Sequence, residues 1–377
     1  MQHAAAIRIG GLGPLTSPGV AGAGQELLAG MEISIEDVNA AGGLCGRPLE
    51  LLFEDSRGDP ASGVEALERL RSRGAHLLVG EFHSVVADAV CVRADQMRFP
   101  YLCSSATLDA LTERRSPYVF RLAPPQSHGW DIYARFLLEA RFRQVIEIIH
   151  EDVYWKGGAH VLRRQLEPAG VEVSSVVVSA DAQPASIAAQ VEVLAAASSP
   201  AIALLLVGYP EPLGGIVRAL ADRCLLTRLS LGDPAGRAIF PDWWETAGEH
   251  GAGVSFLSYQ LPGRLTQSGE RMRSVFSARH GREPTFVALE GYDTVAVAAA
   301  ALERAPDFDA ESICASLRTV EVHGTRNVIR FSTEADGVVH QQWTWPPACV
   351  ATRETSHGRL SDATILWAPR GPCAEPA

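Results

Sequence analysis

The sequence predicts an α/β protein built as two doubly wound lobes, each with a parallel sheet between layers of helices. Three observations predict it. Apolar runs of strand length alternate with helix-patterned segments along most of the chain, the order that builds parallel sheets. The alternation closes at "YVFRLAPP" and starts again at "QVIEIIHED", so it reads as two sets. The 377 residues also exceed what one core comfortably organises, domains running roughly 100 to 200 residues.

In the first set, "IRIGGL" is a strand, and a helix from about Gly22 to Asn39 carries Leu27, Met31, Ile35 and Val38 on one apolar face. "AAGGLCGRP" stops it, as glycines past a helix C-terminus do. "LELLFED" is the next strand, Asp59-Pro60 opens a helix that ends at Arg73-Gly74, and "HLLVG" is the third strand. Ser84 to Met97 reads as helix, "FPYLCSS" as strand, and "YVFRLAPP" closes the set. In the second set, "QVIEIIHED", "VEVSSVVVS" and "AIALLLVG" are strands, separated by helices from Lys156 to Ala169 and Ile187 to Ala197 and followed by one from Leu213 to Cys224. "GVSFLSY" follows, then helices around Leu265 to His280, Phe286 to Arg304 and Ala310 to Thr319. Two antiparallel strands, "NVIRFS" and "VVHQQWTW", come next, and residues 367–377 read as a disordered tail.

Composition excludes several classes of function. With 33 Lys+Arg against 44 Asp+Glu and a net charge of −11, the chain lacks the cationic surface that phosphate backbones require, so nucleic acid is not an expected partner. No apolar stretch reaches the roughly 20 residues of a membrane helix, so no membrane insertion is expected. "MQHAAAIRIG" shows no basic segment followed by an apolar run; the expectation is either a cytoplasmic protein or a secretory signal outside this sequence. Seven cysteines without C-x-x-C spacing argue against a zinc ribbon or a disulfide scaffold. The widely spaced Cys349 and Cys373 are the one candidate disulfide. The histidines are scattered, no metal-ligand motif accompanies them, and no metal or cofactor is expected.

In doubly wound sheets ligands sit beyond the carboxyl ends of the strands. After "HLLVG" come Glu81, Phe82, His83 and Ser84; after "PYLC" come Ser104, Ser105, Ala106 and Thr107. Hydroxyls at two neighbouring strand ends suit a seat for a carboxylate, and each also suits a helix cap. A nucleophile at Ser84 is the weaker reading, because Phe82 and Val86 stand where a nucleophile elbow needs glycines. "GGLGPLTSPGVAGAG" puts Thr16 where a dinucleotide fingerprint has its third glycine. The residues offer binding chemistry without a catalytic set.

The order "IRIGGLGPLTSPG", "GAGQELLAGMEISIEDVNAAGGLCGRPLELLFEDSRGDPASGVEALERL", "LLVGEFHS", "PYLCSSAT", "YVFRLAPP", "VGYPEPLGGIVRAL" and "EGYDTVAVAAAAL" resembles the type I periplasmic binding proteins of the Leu/Ile/Val-binding group over nearly the whole chain. The resemblance implies two lobes joined by a three-segment hinge and closing on a small-molecule ligand. It implies crossings near Pro124, Gln260 and Arg326, giving lobe 1 as 1–124 plus 261–326 and lobe 2 as 125–260 plus 327–366. It also implies a permease of an ABC importer as partner and an extracytoplasmic location; the alternative is a cytoplasmic sensor of the amide-responsive type.

For the ligand, the resemblance assigns Ser84 as the carboxylate-binding serine, which on this reading also caps its helix. Ser105 becomes a backbone contact and Thr107 a hydroxyl gripping the ligand, with Phe82 and His83 beside them. It places Trp155 and Tyr209 against the ligand from the second lobe, and Phe286 at the pocket lining. Four departures follow. Gln126 stands where amino-acid binders place an acid; Asp233 lies one place from the second acid of the group; Ala23 stands at an aromatic position. The group's first-lobe cysteine pair is absent, its positions being Gly58 and His83. Charge is therefore removed from the ammonium side while the carboxylate side is kept, and the expected ligand is a carboxylate lacking an α-amino group, an amide-like solute, or an amino acid held by Asp233 alone, with a larger or aromatic side group. Trp243-Trp244 is expected to cover the lobe rather than line the pocket.

Overall fold

Two parallel-strand sheets organise the chain in the computed structural model, which describes residues 5–17, 19–179, 182–196, 201–333, 339–344, 347–355 and 359–369. The elements run β1 (Ile7–Gly13), α1 (Ala21–Ala40), β2 (Leu49–Asp55), α2 (Pro60–Ser72), β3 (Leu78–Gly80), α3 (Ser84–Gln96), β4 (Tyr101–Cys103), α4 (Ala110–Glu113) and β5 (Val119–Arg121). The pattern repeats as α5 (Gln126–Glu139), β6 (Gln144–His150), α6 (Val153–Leu166), β7 (Glu172–Val178), α7 (Pro184–Ala196), β8 (Ile202–Val207), α8 (Pro210–Asp222), β9 (Leu229–Asp233), α9 (Pro241–Ala247) and β10 (Ser255–Ser258). Then come α10 (Gln267–His280), α11 (Phe286–Arg304), α12 (Ala310–Thr319), β11 (Val322–His323), β12 (Val328–Ile329), β13 (Cys349–Thr352) and β14 (Thr364–Trp367).

Local chemistry fixes many of the boundaries. Asp59 caps α2 by accepting from Ser62 N, with Pro60 supplying the first helical residue. Asp152 caps α6 through Tyr154 N, Thr266 caps α10 through Gly269 N, and Asp309 caps α12 through Ser312 N. All six residues of β8 are buried, which is why "IALLLV" reads as a continuous apolar run rather than an alternating one.

The chain divides into two compact units, with breaks after Pro125, after Arg264 and after position 346. The first unit holds a sheet in the order β2-β1-β3-β4-β5, parallel throughout. Its core packs α2 and α3 on that sheet through Leu67, Leu70, Val86 and Val90 against Leu12, Leu78 and Tyr101. The second unit holds β14-β13-β10-β9-β8-β6-β7. Its strands β7, β6, β8, β9 and β10 are parallel, and β13 and β14 join antiparallel at the edge.

Two expectations change here. Residues 327–333 and 339–344 belong to the first unit, not to the second lobe. Gln342 Nε2 donates to Ala123 O (2.7 Å), Gln341 Nε2 donates to Val119 O (2.7 Å), and Trp343 N donates to Arg121 O (2.9 Å), so the segment is fastened to β5. Trp367, expected to begin a disordered tail, closes β14; residues 370–377 lie outside the described residues, and with them Cys373. Its proposed partner Cys349 is a buried free thiol 3.8 Å from Gln260 O.

Candidate functional site

Both units share one strand order. Each sheet starts in the middle, steps to one side, returns past its first strand and runs outward, so adjacent strands leave their helices on opposite faces at β1/β3 and at β6/β8. Such reversal points open a crevice at the carboxyl ends of the strands.

In the first unit the crevice side of β3 begins with Gly80, whose φ of +114° and closeness to Leu12 O, 2.2 Å from where a Cβ would stand, admit only glycine. Glu81 follows with φ +75°. Its side chain is fully buried; Oε1 accepts from Phe82 N (2.8 Å) and His83 N (2.7 Å), while Oε2 has no hydrogen-bond partner among the described residues. Burial pushes this carboxyl up to about 7, against the pull of the His83 N–H and the Ser56 hydroxyl. Glu81 was not among the ligand residues expected from the sequence, although an acid directly after the last glycine of a strand was the available signal.

Ser84 is the first residue of α3, and the cap position belongs to His83, which makes no side-chain cap. The expectation that Ser84 caps its helix is therefore corrected. Its Oγ reaches instead to the loop after β4, accepting from Thr107 N (3.2 Å) and Leu108 N (3.3 Å). With both lone pairs engaged, its O–H remains a donor for an acceptor arriving from solvent. Ser104 Oγ donates to Glu81 O (3.1 Å), and Ser105 Oγ is buried with no hydrogen-bond partner among the described residues. The loops after β3 and β4 thus bring Ser84, Ser105, Thr107 and Glu81 together. His83 Nε2 accepts from Val20 N (3.0 Å), tying the glycine-rich loop after β1 to this point. A Cβ at Gly58 would meet that nitrogen at 3.2 Å, so the two positions of the absent cysteine pair are neighbours held by a histidine instead. The Phe82 ring meets His83 edge-on at 5.6 Å. Phe286 opens α11 as a buried residue beyond the Thr285 cap.

In the second unit the crevice side of β6 and β8 carries aromatic groups. Trp155, in the first turn of α6, meets Tyr209 edge-on at 5.5 Å and Tyr154 at 4.9 Å. Its indole Nε1 is buried with no hydrogen-bond partner among the described residues. Tyr209 occupies the cap position of α8 without a side-chain cap, is 42% exposed, and donates its N–H to His150 Nδ1 (3.2 Å). Partial burial lowers the pKa of His150 and raises that of Tyr209. Gln126 is buried at the start of α5 and donates to Tyr154 O (2.8 Å), steadying the turn that presents Trp155.

Asp233 ends β9 with both oxygens occupied: Oδ1 accepts from Ala235 N (3.1 Å) and Oδ2 from Ala238 N (2.6 Å). It is fully enclosed, and burial pushes it up to about 6. Its carboxyl holds its own turn, which leaves poor geometry for an ammonium. That turn places Arg237, unremarked in the sequence, at the same end of the sheet. Trp243 is buried in the core, and Trp244 lies under Arg353 at 4.7 Å. Among the described residues no group of three His, Cys, Asp or Glu side chains is placed to hold a metal ion.

A family model described as periplasmic binding protein matches residues 6–345. A Leu/Ile/Val-binding protein homologue of Brucella melitensis is 30% identical over 166 residues, a match that spans 44% of this chain and 45% of that relative. The leucine-, isoleucine-, valine-, threonine- and alanine-binding protein of Pseudomonas aeruginosa is 24% identical, with 88% of this chain and 87% of the relative covered. Among solved structures, the solute-binding protein of an ABC transporter from R. palustris in complex with benzoate superimposes with a TM-score of 0.79 at 16% identity, over 98% of this chain and 99% of that one.

Proposed function

The chain belongs to the periplasmic binding protein family, and from that premise we propose that it is the solute receptor of an ABC-type importer, closing on a small carboxylate-bearing ligand outside the cytoplasm. The observation that carries the reading is the hydroxyl seat at the ends of β3 and β4. Ser84 spends both lone pairs on Thr107 N and Leu108 N, and so offers a proton rather than an attacking oxygen. The neighbouring His83 has Nε2 engaged by Val20 N, so that nitrogen is not placed as a general base for Ser84.

The ligand side is narrowed by the second unit. Asp233 is committed to its own turn, and Gln126 to the Tyr154 carbonyl. Neither supplies the anion that an α-ammonium needs, while Trp155 and Tyr209 supply aromatic surface. These features support an acid without an α-amino group, of the kind that the R. palustris protein holds, over an amino acid of the kind named for the Pseudomonas relative. No described helix is long and apolar enough to cross a membrane; on the importer reading the partner is a permease.

Calorimetry with benzoate and leucine, combined with mass spectrometry of the recovered ligand, tests the reading. Benzoate should bind, return unchanged, and bind more tightly than leucine. Thr107→Val, which keeps the shape and removes the hydroxyl, should weaken benzoate by about 1.5 to 3 kcal/mol, the range for a hydrogen bond to a charged group. Steady chemical conversion of the ligand, or unaltered affinity in Thr107→Val, would contradict it.

A further inference from the structure

His150 closes β6 at the reversal point of the second unit's sheet, with β7 on one side and β8 on the other. It ties down both turns that leave this point. Its carbonyl accepts from Asp152 N (2.9 Å), and Asp152 Oδ1 in turn accepts from Tyr154 N (2.8 Å), which opens the helix that carries Trp155. Its imidazole serves the other turn: Nδ1 accepts from Tyr209 N (3.2 Å), the backbone donor at the cap position of α8. The approach is close. A Cβ at Gly208 would stand 2.8 Å from that same nitrogen, so only glycine lets the loop after β8 lie against the ring.

The contacts run on from there. The His150 and Tyr209 rings meet at 5.7 Å and 43°, and the Tyr209 ring meets Trp155 edge-on at 5.5 Å. The aromatic surface at this end of the sheet therefore stands on a hydrogen bond whose acceptor titrates. Nδ1 accepts only while it carries no proton, which places the proton of the neutral ring on Nε2. Protonation turns Nδ1 into a donor facing another donor, and the Tyr209 backbone loses its acceptor. The titratable and charged groups around the ring are Asp152 in the same turn, the Tyr209 phenol with Arg237 acting on it, Glu211 in the first turn of α8, and the Glu151–Lys156 pair at the start of α6. Asp152 favours the charged ring and burial opposes it more strongly, so the neutral ring predominates at neutral pH.

We propose that His150 is a positioning residue of the receptor: its unprotonated Nδ1 holds the Tyr209 backbone, and with it the Tyr209 and Trp155 rings, in the geometry that receives the ligand, so that protonation of the imidazole weakens binding. The inference rests on the carboxylate-receptor reading above and adds to it a residue that acts through Tyr209.

The test is calorimetry of the full chain with benzoate, from about pH 5 to about pH 8, in the wild type, His150→Asn and His150→Phe. Asn Oδ1 stands near the place of Nδ1 and accepts without titrating, whereas Phe keeps a ring and has no acceptor. Wild-type affinity should fall towards the acid end by at least about threefold more than that of His150→Asn, a comparison that cancels the ionisation of benzoate and of every other group the two proteins share. A folded His150→Phe should bind at least about threefold more weakly than the wild type at the alkaline end. The wild type alone supplies the reciprocal measurement by nuclear magnetic resonance. The His150 ring should titrate at lower pH with saturating benzoate than without it, because a ligand that binds the neutral form must favour that form. Parallel pH profiles for the wild type and His150→Asn, or a His150 titration that benzoate leaves unmoved, overturn the assignment while the receptor reading stands. So does a folded His150→Phe with wild-type affinity. No benzoate binding at any pH in any of the three proteins overturns the carboxylate reading itself, and this inference with it.

Discussion

The Glu81 carboxyl combines full burial, a left-handed backbone and one oxygen without a hydrogen-bond partner among the described residues. Its pKa, raised to about 7 chiefly by burial, makes a pH prediction with a definite sign. The folded state holds the proton more tightly than the unfolded chain, so this group's contribution to stability is full below about pH 4 and is lost as pH rises through 7. Glu81→Gln keeps an oxygen for the Phe82 and His83 N–H groups and never ionises. Relative to the wild type, the variant should therefore gain stability between pH 4.5 and 7.5, by about 3 kcal/mol at the upper end. Urea unfolding at both pH values measures the gap, and a gap that does not move with pH would refute the assignment. Asp233 has the same sign in the wild type, which is why the comparison is made between two proteins rather than along one curve. At this scale the sequence told where hydroxyls would cluster, because Ser84, Ser105 and Thr107 follow strand ends. It did not tell where Asp233 or Arg237 would point, since both directions depend on a turn whose hydrogen bonds close between residues 233 and 238.

At the scale of elements, α1 and α11 meet through reciprocal glycines. A Cβ at Gly30 would stand 1.9 Å from Ala288 O, and one at Gly291 would stand 2.3 Å from Leu27 O, so each helix takes the other's backbone into the gap. Backbone cannot swing aside as a side chain can. Gly30→Ala should cost about 2 kcal/mol or more, as overpacking in a core does. Gly22→Ala, in the same helix with nothing within 4 Å of the new carbon, should leave stability unchanged or raise it by up to about 1 kcal/mol through helix propensity. Guanidinium denaturation of the two variants checks the contrast, and equal effects would mean that propensity rather than contact governs Gly30. Helices of this kind were legible: α11 runs from Phe286 to Arg304 as its apolar pattern and Thr285 cap indicate. The late strands were not. β13 and β14 are four residues each, too short for a period to show, and the attachment of Gln341 and Gln342 to β5 spans more than 200 residues of sequence.

For the whole molecule, the alternation of strands and helices and its restart near residue 144 were enough to give two parallel-sheet units, because each apolar run needs cover on both faces. What a ligand does to a protein of this kind is a question of differential affinity: it shifts a population only by contacts that one state has and the other lacks. Carrying an equilibrium from one part in a hundred to nearly complete takes a preference of about 10⁴, or about 5.5 kcal/mol. Charge-assisted hydrogen bonds contribute about 1.5 to 3 kcal/mol each, so about two to four of them made only in the closed state reach that range. The receptor reading therefore predicts closure. Small-angle scattering should show a smaller radius of gyration when the wild type is saturated with benzoate than when it is free. Identical profiles for the free and saturated wild type, with binding confirmed by calorimetry in the same buffer, would mean that the ligand is held without closure.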